Sequence, residues 1–129
     1  KIRKDLNISE EFQRSAQGNL KRALEALEVG WLNGSAYLAG DEITIADMAA
    51  YVEIGQLQNR FTNVYDFSPF PNVSRWLEAM TKIEFHDDVH TALIELGDIS
   101  VEAPSMETIV NANKKAFGVL KERLAEMNG

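Results

Sequence analysis

Ile43-Thr44-Ile45-Ala46-Asp47-Met48-Ala49-Ala50-Tyr51-Val52-Glu53-Ile54 opens with a helix start signal. Thr44 has the N-cap residue type. Its hydroxyl can accept from the backbone N–H of Asp47 while the Asp47 carboxylate reaches back to the Thr44 N–H, a capping box with Asp in the usual Glu or Gln place. Ile43 and Met48 then fall at N′ and N4, the spacing of a hydrophobic staple. Beyond Ile45 apolar side chains occupy nearly every helical face, so this segment is expected to be a central helix enclosed by others. Buried N–H groups without partners cost about 1 to 3 kcal/mol each, which makes Thr44 and Asp47 structural residues before functional ones.

Outward from this helix, the chain keeps a helical period. Ser9 can cap a helix with Glu10 and Glu11 in its first turn. Phe12, Ala16, Leu20, Ala23, Leu24, Leu27 and Trp31 then form one stripe over about six turns. Asn33-Gly34-Ser35 breaks that helix, and Ala39-Gly40-Asp41-Glu42 completes a connecting loop. The central helix runs to about Gln58. Asn59 to Ser68 has aromatic residues without cap or alternation and reads as a partly buried loop. Pro71 starts a helix whose apolar face is Val73, Trp76, Leu77 and Met80. Phe85, Val89, Leu93 and Leu96 mark a further helix that Gly97 ends. Asp98 to Pro104 is a linker. The last helix starts near Ser105, with Met106, Ile109, Val110, Asn113, Phe117, Leu120, Leu124 and Met127 on one face. The expected fold is an all-α bundle of five helices with an irregular loop between the second and third.

Length and composition limit the function. The 129 residues are expected to form one domain, with 45% hydrophobic and 26% charged residues as in ordinary soluble proteins. No apolar run reaches the roughly 20 residues of a membrane span, so no membrane partner is expected. A net charge of −7 repels phosphate backbones, and only Lys1-Ile2-Arg3-Lys4 clusters basic residues, so nucleic acid is not an expected partner. The chain has no cysteine, which removes disulfides and thiolate chemistry and favours a cytoplasmic location. Three Asn-x-Ser tripeptides, at Asn7, Asn33 and Asn72, fit the glycosylation pattern but are expected to be chance matches. A first residue of Lys rather than Met is expected of a fragment of a longer protein.

Tyr37-Leu38-Ala39-Gly40-Asp41-Glu42-Ile43-Thr44-Ile45-Ala46-Asp47 resembles the signature of the C-terminal helical domain of glutathione transferases. Phe70-Pro71-Asn72-Val73-Ser74-Arg75-Trp76-Leu77-Glu78-Ala79-Met80 resembles that family's next helix, and Phe85-His86-Asp87-Asp88-Val89-His90 the segment after it. Their flavour is closest to the theta-like branch. The resemblance implies a domain with its core over residues 9–97 and an extra C-terminal helix at about 105–127. In this family the catalytic residue and most glutathione contacts belong to an N-terminal thioredoxin-like domain, and no strand-rich βαβ segment is found in this chain. No catalytic residue therefore carries over. Glutathione is implied only as the co-substrate of a parent protein that has that domain, and this chain alone is expected to need no cofactor. A C-terminal extension covers the substrate cleft in theta-like relatives, which makes Met106, Val110 and Phe117 the candidate substrate-binding residues. The implied partners are a thioredoxin-like domain, another protein, or a second copy in a homodimer. The same domain also resembles interaction modules of elongation factor 1 gamma and of aminoacyl-tRNA synthetase complexes, the alternative function.

The remaining polar residues offer little chemistry. His86 and His90, spaced i, i+4, could turn two imidazoles to one metal ion, but the further ligands a metal needs cannot be named. The resemblance favours a solvated helix start there, with no metal. Tyr51, Glu53 and Gln56 could aim into a cleft or simply serve the central helix. The acidic pairs Glu10–Glu11, Asp41–Glu42 and Asp87–Asp88 sit at helix starts and complement helix dipoles. A face left bare by the missing thioredoxin-like half is expected to be covered by the final helix or by a second copy.

Overall fold

The computed structural model describes residues 7–129, so the basic run Lys1-Ile2-Arg3-Lys4 lies outside the described residues. The described residues form six α-helices and no strand beyond an isolated bridge between Tyr37 and Gly40. They fall into two compact units, residues 7–55 with Phe67–Ala79, and Gln56–Asp66 with Met80–Gly129.

The first unit contains α1 (Glu10–Ala26), α2 (Ile45–Ile54) and most of α3 (Pro71–Met80). Ser9 caps α1 by accepting from Phe12 N at 3.1 Å, with Glu10 and Glu11 at the positive end of the helix dipole. A π-turn, Leu27–Trp31, continues α1 and closes on Leu32 N to Leu27 O at 2.9 Å. That turn corrects the expected apolar stripe. Only Leu24 is buried on α1, and Phe12 and Trp31 are exposed. The wider π-turn rotates the residues after Leu27 out of the 3.6-residue register, so Trp31 leaves the stripe.

What the π-turn turns inward instead is Glu28. Its carboxylate accepts from Asn72 N at 3.0 Å and Val73 N at 2.9 Å, satisfying two orphan donors at the start of α3. One turn later Arg75 donates to the carbonyls of Leu32, at 3.1 Å, and Ser35, at 2.7 Å. These contacts fix the end of α1 and the following loop to α3. The apolar face of α3 is as its spacing predicts, with Val73, Trp76, Leu77 and Met80 all buried.

Gln56–Asp66 begins the second unit, which also holds α4 (His86–Val89), α5 (Thr91–Leu96) and α6 (Met106–Asn128). The loop is tied down at its far end, where Ile99 N donates to Thr62 O at 3.0 Å and Asn63 Nδ2 to Asp98 at 2.7 Å. Asn63 takes a left-handed φ of 55°, which Asn tolerates better than most residues. One expected helix over Phe85 to Leu96 is two. Phe85 sits at φ 62° outside α4, and His90 interrupts the run with φ −98° and ψ 8°. The register shifts accordingly. Phe85 and Val89 are exposed, while His86 and Thr91 are buried. Gly97 ends α5 at φ 65°, as read from the sequence.

α6 packs against α5 and α4, and Ser105 caps it through Thr108 N at 3.0 Å. Its buried residues are Ala112 and Ala116. The large apolar face expected to pack, including Met106, Phe117, Leu124 and Met127, is exposed. Small alanines let α6 approach its short neighbours closely, and the bulky stripe lies on another side.

Candidate functional site

The Thr44–Asp47 box is present at the head of α2, and it does more than cap. Asp47 Oδ2 accepts from Thr44 N at 2.9 Å and from Thr44 Oγ1 at 3.1 Å, while Thr44 Oγ1 accepts from Ala46 N at 3.3 Å. The other oxygen, Oδ1, accepts from Leu38 N and from Trp76 Nε1, each at 2.9 Å. Asp47 is fully buried. Burial alone raises a carboxyl pKa, but the backbone donors of Leu38 and Thr44, the Trp76 indole and the Thr44 hydroxyl outweigh it and hold Asp47 below the usual range. One carboxylate thus ties the Tyr37–Gly40 loop, the start of α2 and the middle of α3. Tyr51, a turn further along α2, meets Trp76 edge to face with ring centroids 6.0 Å apart.

α2 is not enclosed as its composition predicts. Asp47 and Tyr51 are its buried residues, whereas Ile45 is 84% exposed and Met48 and Val52 are exposed as well. Ile43 and Met48, the staple pair, are both exposed by about two-fifths. The helix is apolar on all sides, and its packing covers only the side that carries Asp47 and Tyr51. Ile45, Met48 and Val52 recur at steps of three and four, so they share one bare strip.

Met106, Val110 and Phe117 also share a side of one helix, α6, and all three are exposed, Phe117 by 73%. A shallow cleft of about 550 Å³ beside the start of α6 is lined by residues including Leu96, Asp98, Ile99, Glu102 and Thr108, and by none of these three.

The solvated helix start expected at the histidines is corrected at His86, which is buried, while His90 is half-buried. His86 is 6% exposed and stacks on His90 at 4.4 Å between ring centroids, and Phe61 stacks on His90 at 5.3 Å. His90 Nδ1 lies 2.6 Å from the His86 carbonyl, which can only accept, so that nitrogen carries a proton. His86 Nδ1 pairs with the Asp87 carboxylate at 2.7 Å. That bond, with Arg60 at 3.5 Å, keeps Asp87 below its ordinary pKa. For His90, burial is the main cause of a lowered pKa, with the neighbouring His86 and Arg60 acting in the same direction. Among the described residues no three ligating side chains converge as a metal site. The i, i+4 spacing placed both rings on one side, but their aromatic neighbour Phe61, 25 residues before His86 and 29 before His90, is not legible locally.

Sequence reasoning also missed Trp76 and Leu38 as partners of Asp47, and Glu28 as the cap of α3. The signal for Glu28 was faint, a carboxylate on an otherwise apolar turn. For Leu38 N there was none, since any residue supplies a backbone amide.

These features define a class, an all-α domain organised by a buried capping aspartate. The profile of the family described as glutathione S-transferase, C-terminal domain, matches residues 2–84. That span exceeds half the chain, and the chain belongs to this family. The match ends before α4, so α4, α5 and α6 lie beyond it. No solved structure matches the chain at a significant level.

Proposed function

We propose that the chain is the helical substrate-side and interface domain of a theta-like glutathione transferase, with the thiol chemistry supplied by a thioredoxin-like domain outside it. The observation that carries the reading is the bare strip of α2, Ile45, Met48 and Val52, on a helix otherwise fixed from beneath by Asp47. Exposed apolar side chains on a rigid, capped helix form a surface suited to being covered. In the proposed protein a thioredoxin-like domain covers it, holds glutathione and activates its thiol, while this domain provides apolar contact for an electrophile. The chain alone conjugates nothing and needs no cofactor. A cytoplasmic location fits a cysteine-free chain in which no described helix is long and apolar enough to cross a membrane.

The test is hydroxyl-radical labelling of the full chain, alone and with a theta-like thioredoxin-like domain added. Protection of Ile45, Met48 and Val52 on mixing supports the reading, and unchanged labelling at a concentration that saturates any binding refutes it. A second reading, an interaction module resembling that of elongation factor 1 gamma, is favoured by the exposed apolar stripe of α6 beyond the family match. Capture of a protein partner by the chain with no effect of glutathione distinguishes it.

A further inference from the structure

Asn33-Gly34 lies in a short loop that is held at both ends and free in its middle. Leu32 is fully buried and closes the π-turn by donating to Leu27 O at 2.9 Å. The guanidinium of Arg75 donates to the carbonyls on either side, to Leu32 O at 3.1 Å, Ser35 O at 2.7 Å and Ala36 O at 3.5 Å. Asn33 and Gly34 between them are exposed. Among the described residues no hydrogen bond holds the Gly34 N–H or the Asn33 side chain. Gly34 takes a left-handed φ of 82°, and nothing lies within 4 Å of the place where a Cβ would stand. A carboxamide therefore precedes a backbone amide that is unbonded, unhindered and open to solvent, the arrangement in which an asparagine is chemically least durable.

We propose that Asn33 is a spontaneous deamidation site whose conversion loosens the hold of Arg75 on the loop after α1. Gly34 N gives its proton to solvent base and attacks Asn33 Cγ. A cyclic imide closes as the Cγ–Nδ2 bond breaks, and the leaving nitrogen takes a proton from water and departs as ammonia. Water then adds to either imide carbonyl. Opening on one side leaves aspartate at position 33, and opening on the other leaves isoaspartate, whose main chain runs through Cβ and Cγ. Only water is consumed. The isoaspartyl product lengthens the main chain by one methylene, about 1.5 Å. Leu32 is anchored in the core, so the added length falls on the Ser35 side, where a 2.7 Å hydrogen bond does not survive such a displacement. The contact given up is one of those that fix the end of α1 and its loop to α3.

The chain contains its own reference, a second Asn-Gly pair at Asn128-Gly129. Asn128 belongs to α6 and donates to Leu124 O at 2.8 Å, so its carboxamide is already held. The proposal is independent of the transferase reading, because it is read by peptide mass and urea unfolding and not by glutathione. Tryptic peptides place the two asparagines in separate fragments, Ala23–Arg60 and Leu124–Gly129. In the full chain aged at mildly alkaline pH, Asn33 is expected to convert to a mixture of aspartate and isoaspartate several times faster than Asn128. Asn33→Gln, whose longer side chain must close a larger ring, should keep its amide over the same period. The urea midpoint of the aged parent should fall, that of aged Asn33→Gln should hold, and Arg75→Ala, which lacks the tie from the start, should lose little more on ageing. Conversion of Asn33 no faster than that of Asn128 overturns the proposal. So does an unchanged midpoint in the fully converted chain, or an aged Arg75→Ala that falls as far as the parent.

Discussion

Replacing Asp47 and Thr44 in turn separates a buried hub from an ordinary cap. If Asp47 were only one half of a capping box, Thr44→Ala and Asp47→Ala would each cost about 1 kcal/mol, the usual value of a lost cap. The geometry gives the two residues unequal weight. Thr44→Ala removes the hydroxyl but keeps the Thr44 amide, so Asp47 retains Leu38 N, Trp76 Nε1 and the amide at position 44. Asp47→Ala strips the partner from the buried Leu38 N–H and Trp76 Nε1–H at once. At about 1 to 3 kcal/mol for each of the two orphaned donors, plus about 1 kcal/mol for the cap, the loss sums to roughly 3 to 7 kcal/mol. That is a large part of a typical stability of about 5 to 15 kcal/mol. Urea unfolding followed by far-ultraviolet circular dichroism measures both variants on one scale. Asp47→Asn should fall between them, since one of its two atoms is an NH₂ facing donors. Trp76→Phe should couple to Asp47→Ala by about 1 kcal/mol or more in a double-mutant cycle. Equal losses near 1 kcal/mol for Thr44→Ala and Asp47→Ala would refute the reasoning.

Other perturbations follow from the same contacts. Glu28→Ala uncovers Asn72 N and Val73 N at the start of α3 and should cost about 1 to 2 kcal/mol by urea unfolding, with Glu28→Gln milder. Gly55→Ala improves helix propensity by up to about 1 kcal/mol, but the new Cβ would lie 2.9 Å from the ring of buried Tyr51. The clash should win, for a net loss of about 1 to 2 kcal/mol in thermal or urea melts. Asp47 has a lowered folded pKa, so its contribution is complete above the ordinary aspartate value of about 3.9 and is lost as pH falls through the folded value. Asp47→Asn should therefore flatten the acid limb of the stability curve. His90 also has a lowered folded pKa, but it is a base, so the unfolded chain takes up its proton first. Stability should fall as pH drops from about 6.5 toward the folded value, and urea midpoints at a series of pH values should show His90→Gln losing most of that slope.

Local chemistry was legible in the sequence wherever it acts over a few residues. Thr44 and Asp47 were readable because a cap spans three positions, and the α3 face was readable because Val73, Trp76, Leu77 and Met80 keep one register from cap to end. Long-range choices were not. The all-round apolar pattern of α2 says that no face needs water, but not which faces find a neighbour. The π-turn at Leu27–Trp31 trades a regular stripe for the Glu28 contact with α3, a gain visible only once residues 44 and 45 positions apart are brought together. The split at His90 likewise accompanies Phe61, from a distant loop, which stacks on His90 and meets the His86 ring at a tilt, with His86 buried in place of Phe85. On α6 the periodicity of the apolar stripe was legible. Its exposure was not, because the small side of the helix, Ala112 and Ala116, is the one that packs.

The central claim is that this helical domain contributes surface and not thiol chemistry. Isothermal titration of glutathione into the full 129-residue chain tests it most directly. The account predicts no heat beyond dilution. Saturable micromolar binding would contradict it by placing a thiol-ligand site within the helices themselves.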